Sequence, residues 1–160
     1  MDLRRLRTGE WIAAASGTVL LVSLFLPWYA TGGESSTAWQ SFAVLDVVLA
    51  LLAMTGLVLP FVTASQRVPA VPIALSAFVT IGGLIGILMV LLRVANLPGA
   101  ADGREWGLWL ALIAAAGLLA GGGLAMRDER LSPPGGHTDL TGRPTAAPPE
   151  IERLPAPRPE

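Results

Sequence analysis

Residues 42–62 read FAVLDVVLALLAMTGLVLPFV, an apolar run broken by one acid, Asp46, and by no base. The hydrocarbon core of a bilayer takes about 20 apolar residues at 1.5 Å each, so this stretch predicts a transmembrane helix. Three further stretches of the same character lie at 11–30, 71–92 and 106–126. Composition agrees: of 160 residues 52% are hydrophobic and 14% charged, with a mean hydropathy of +0.59, against about a quarter charged in a soluble domain. The fold class expected is all-α membrane. Short connections make neighbouring helices antiparallel, which predicts a four-transmembrane-helix bundle over 11–126.

The run at 11–30 follows Arg4, Arg5 and Arg7, as a secretory signal does. It is long, however, and Trp28 stands where a cleavage site before Ala30 needs a small residue, so a retained helix is expected. Arginines next to a span stay preferentially in the cytoplasm. Arg4, Arg5 and Arg7 precede the first span, Arg67 lies between the second and third, and Arg127 and Arg130 follow the fourth. The expected location is the cell inner (plasma) membrane, multi-pass, with both termini cytoplasmic and residues 1–10 as the leading segment. After residue 126 the chain turns proline-rich, through Pro133, Pro134, Pro148, Pro149 and Pro155 among others. Too little there is apolar to offset ordering entropy, which predicts a disordered cytoplasmic tail over 127–160.

Several functions are excluded by what the chain lacks. A formal net charge of -1 gives no basic footprint for nucleic acid. With no cysteine and a single histidine, His137 in the tail, no thiol chemistry and no Cys/His metal centre can be built. Neither a cofactor nor a metal is expected. The spans hold serine and threonine with no histidine or lysine to activate them, so catalysis is not expected either.

The polar residue that calls for explanation is Asp46, about one turn inside the second span, where a carboxylate is costly. Arg93, at the end of the third span, is the base that antiparallel neighbours bring to the same depth. An ion pair pinning two helices and snorkelling to the headgroups is the structural reading; a protonatable outward-facing site is the functional one. Small residues four apart, Ala13 with Gly17, Gly82 with Gly86 and Gly117 with Gly121, lie on single helix faces and let backbones approach. They fit packing inside the bundle or a homo-oligomer contact. Trp28, Tyr29, Trp39, Trp106 and Trp109 fall at outer span ends, the place of interfacial aromatics. Leu26-Pro27 before Trp39 is echoed by Leu97-Pro98 before Trp109, which reads as a duplicated hairpin or as coincidence.

Small multidrug-resistance exporters are similar in size and span count but depend on a glutamate embedded in their first helix, whereas here Glu10 precedes the span. Claudin-like proteins carry a long first outer loop with a cysteine pair that this chain lacks. Through about residue 130 the chain resembles small uncharacterised four-helix integral membrane proteins of GC-rich, actinobacterial-type bacteria. The resemblance rests on Leu26 to Tyr29, Trp39 to Phe42 and Arg127 to Arg130, and it implies topology and no activity. The function expected is a structural or accessory component of the membrane, acting through helix–helix contacts with lipid, a membrane-protein partner or a second copy. The alternative is a minimal transporter or channel subunit using Asp46 and Arg93.

Overall fold

A computed structural model describes residues 6–41, 44–65, 70–99 and 101–130, with the side chains of residue 70 and of 128–130 left aside. The stretch expected to be disordered, with His137, lies outside them from residue 131 on. Helix α1 runs over Thr8–Ser23. Its first turn is fastened by Glu10, whose Oε2 accepts the Arg7 backbone N–H at 2.9 Å, half of a capping box. Its end is dictated by Pro27. A helical Ser23 carbonyl would accept from the N–H of residue 27, which proline lacks, and the residue before proline avoids helical angles. The chain therefore turns and extends as β1 (Pro27–Thr31).

This corrects the span expected at 11–30. Sixteen residues make about 24 Å of helix, short of a hydrocarbon core of about 30 Å. The three helices that are long and apolar enough to cross a membrane are α3 (Leu45–Ser65), α4 (Ala70–Ala95) and α5 (Trp106–Arg130). Helix α5 carries on past the point where a tail was expected to begin. A four-residue helix, α2 (Ala38–Ser41), precedes α3.

The chain is mostly helical, but a purely helical fold is corrected as well. Strand β1 pairs antiparallel with β2 (Glu34–Thr37) and with β3 (Gly103–Arg104), in the order β2-β1-β3. Gly32 and Gly33 join β1 to β2 at φ 57° and 89°, the paired positive angles of a two-residue hairpin turn whose twist suits the strands. Neither glycine has a neighbour within 4 Å of where a Cβ would sit, so Gly33→Ala tests backbone strain alone. It is expected to cost about 1–2 kcal/mol in thermal unfolding. Gly123→Ala, equally open but inside α5, is expected to gain up to about 1 kcal/mol.

Helix packing is set by glycines pressed against the neighbouring helix, several of them against its backbone. A Cβ on Gly17 would stand 2.6 Å from the Ala53 carbonyl oxygen, and one on Gly56 would stand 2.8 Å from that of Ala13. Gly121 faces Ala13 and Gly9, while Gly117 faces the Ser16 hydroxyl. Gly82 meets Leu52, Gly86 meets Ala115 and Leu49, and Gly83 and Gly122 meet α5 and α4 across their seam. In each pairing, rising numbers on one helix meet falling numbers on the other. Helix α1 packs on α3 and α5, and α4 packs on the same two. Phe61, Phe78, Ile81, Leu92 and Ile113 point away from this core and stay exposed.

Candidate functional site

The most elaborate polar construction lies at the sheet end of the helices. Helix α1 finishes four residues before Pro27 and α4 three before Pro98, and each proline leaves a carbonyl without its helical donor. For α1 that carbonyl is Ser23, and it accepts the Trp28 indole Nε1–H at 2.7 Å and the Leu26 N–H at 3.1 Å. For α4 it is Val94, four residues before Pro98, and it accepts the Arg104 Nε–H at 2.6 Å. The neighbouring Arg93 carbonyl accepts the Tyr29 hydroxyl at 3.2 Å, and that of Leu92 accepts from Asn96. The two Leu-Pro sequences thus serve the same local need, met by different side chains.

These donors ride on the sheet. Register between β1 and β2 shifts between Pro27 and Tyr29, an irregularity of the kind that re-aims a side chain. Consecutive residues Trp28 and Tyr29 are both 0% exposed. Both are bonded inside the protein, because helix-end carbonyls need their N–H and O–H. Trp39, Trp106 and Trp109 are exposed, with Trp39 lying 5.7 Å from the Phe25 ring. Asp102 hooks the second loop onto the hairpin: its N–H reaches the Ala30 carbonyl and its Oδ2 accepts the Gly32 N–H, both at 2.8 Å. The Glu105 N–H reaches the Trp28 carbonyl at 2.8 Å.

Burial raises the pKa of the Tyr29 phenol, more than the nearby Arg93 and Arg104 charges lower it. Tyr29 is the only tyrosine, so phenolate absorbance reports on it alone. Its midpoint is expected above the ordinary value near 10 in the folded protein and at that value in denaturant. A raised pKa means that the folded state holds the proton more tightly. Its stabilisation is full below the unfolded value and is lost as pH climbs through the folded one.

No match to the chain was found among family models, curated proteins or solved structures.

The buried polar side chains among the described residues are Glu10, Ser23, Asp46, Thr63 and Ser76. Asp46, 2% exposed, lies in the first turn of α3, where its Oδ1 accepts the Val47 N–H at 3.0 Å and a helix N-terminus favours negative charge. Arg93 lies in the last turn of α4, half-buried, and offers its carbonyl to Tyr29. Glu10 was expected ahead of the first span. It lies instead inside α1 and is 1% exposed, a second buried acid whose only sequence signal was the Arg7-x-x-Glu10 spacing of a capping box.

Continuing the α1–α3 register brings Ser23 level with Asp46 at the sheet end. At the opposite end it brings Glu10 level with Pro60, one turn from Thr63. The α3–α4 register carries Ser76 to that same end, level with Val58. Between the two polar layers the buried side chains are apolar, Ala13, Leu20, Leu49, Ala53, Val79 and Leu118 among them. The small residues singled out in the sequence line this middle zone and the seams beside it, and each has its close neighbour within the chain.

Proposed function

We propose that the chain is a multi-pass protein of the plasma membrane, with four antiparallel helices and both termini in the cytoplasm. On this reading it is a structural or accessory component that works by helix–helix contact and not by catalysis. Helix α1, though short, crosses with the other three because it is packed between α3 and α5 and continued toward the far surface by Leu24 to Leu26 and the buried Trp28. The observation that carries the accessory reading is the apolar middle zone, in which glycines seat helices on backbone and buried polar groups are confined to the two ends. A transport path needs polar groups or water along its length, and this arrangement interrupts one.

The test is to reconstitute the full chain into vesicles and, in parallel, to purify it from its native membranes in mild detergent. Vesicle permeability to protons, Na+ and K+ is expected to stay at that of empty vesicles, and a membrane-protein partner is expected to copurify in fixed ratio. Flux above the empty-vesicle level that Asp46→Asn abolishes would overturn the reading in favour of a minimal transporter. Reporter fusions at the two ends are expected to be active only in the cytoplasm.

A further inference from the structure

The apolar faces that the helices turn away from their core differ in length. On α1 the exposed side chains Trp11, Ala15, Thr18 and Val22 follow the spacing of one helical face, and Phe25 continues the line just past the helix end. Thr18 does not interrupt it, because its hydroxyl donates to the Ala14 carbonyl at 2.9 Å. Polar groups bound this face at both ends. Arg7 and Thr8 are exposed ahead of Trp11. Past Phe25, whose ring meets Trp39, the hairpin leads on to the exposed Glu34 and Ser35. At 1.5 Å per residue Trp11 and Phe25 stand about 21 Å apart. On α4 the exposed apolar side chains run from Val71 through Phe78, Ile81 and Leu88 to Leu92, about 32 Å. Only the second length matches a hydrocarbon core of about 30 Å. Helices α1 and α4 both pack on α3 and α5, so the short face and the long one lie on opposite flanks.

We propose that the α1 flank holds the bilayer locally thin and gathers phospholipids whose acyl chains are shorter than those of the surrounding membrane. The proposal rests on the membrane-spanning reading above. A core of ordinary thickness would lay Thr8 or the polar strand of the hairpin in hydrocarbon, which is costly, whereas thinning the bilayer is the milder accommodation. Tilt shortens both flanks together and so cannot level them. Trp11 at one end of the face, and Trp39 with Phe25 at the other, are the rings that a surface meeting headgroups carries. A face covered by a second protein has no need of them, so lipid is the occupant.

The chain has no cysteine, so Thr18→Cys and Ile81→Cys each place a single bimane label midway along one face. The full chain is reconstituted in mixed phosphatidylcholines with chains of fourteen and eighteen carbons. Bromine is carried first by the short lipid and then by the long one, and quenching is normalised to that in the brominated lipid alone. The short lipid is expected to be enriched about twofold around the Thr18→Cys label relative to the Ile81→Cys label. The enrichment is expected to shrink when Thr8→Leu is added, which lengthens the α1 face by about 4.5 Å. Equal quenching at the two labels, or an enrichment unchanged by Thr8→Leu, would overturn the proposal. So would a Thr18→Cys label shielded from both lipids while the Ile81→Cys label is quenched, which would put protein over the α1 flank. Quenching at neither label would overturn the membrane reading as well.

Discussion

Gly121→Leu is expected to leave α1 unable to seat on α5, with little folded protein recovered from the membrane. A Cβ at Gly121 would stand 2.5 Å from the Ala13 nitrogen, 2.9 Å from its Cα and 3.0 Å from the Gly9 carbonyl oxygen. All three are backbone atoms of a helix, so no side chain can rotate away, and the helix itself must move. Overpacking of a close-packed interior costs about 1–3 kcal/mol and at times more, and a contact against backbone belongs at the upper end. Ala13 also carries the contact to Gly56, so displacing α1 from α5 disturbs its seat on α3. Gly121→Ala is expected to lower Tm by an intermediate amount. A Gly121→Leu protein with the wild-type Tm would show that the seam is not closed in the membrane.

Trp28→Ala is expected to have the second large effect. The substitution empties a fully buried site and removes the indole donor from the Ser23 carbonyl. Large-to-small changes at such sites cost about 3–5 kcal/mol. Trp28→Phe keeps most of the volume and loses the hydrogen bond, so about 1 kcal/mol is expected. Trp109→Ala, at an exposed position, is expected to stay within about 0.5 kcal/mol. Thermal unfolding and protease susceptibility of the β1–β2 hairpin measure this ordering. Equal effects at Trp28 and Trp109 would mean that both rings serve only as surface anchors.

Helix α3 was legible because its apolar run is long and its interior holds one acid, and α4 and α5 were legible for the same reason. Apolarity carries the first stretch seven residues past the end of α1, since it continues through Leu24, Phe25 and Leu26 after the helix has stopped. Pro27 was the available signal, and its effect on the Ser23 carbonyl outweighed hydropathy. Gly32-Gly33 marks a two-residue turn, yet the hairpin does not show in the apolar pattern, because β2 reads Glu-Ser-Ser-Thr and has no alternating apolar face. The Leu-Pro echo was visible, but its meaning was not. Which distant N–H fills each orphaned carbonyl depends on side chains that only folding brings near.

Length and hydropathy are properties of local sequence, and they determined by themselves the long apolar helices. Tertiary structure decided the rest: that Trp28 and Tyr29 turn inward to cap helix ends, that Glu10 is buried, and that Thr63 is left without a partner at the same end. The physical reason is that burial and hydrogen-bond satisfaction are settled between elements. A residue's own neighbours in the chain do not say whether lipid, water or another helix will face it.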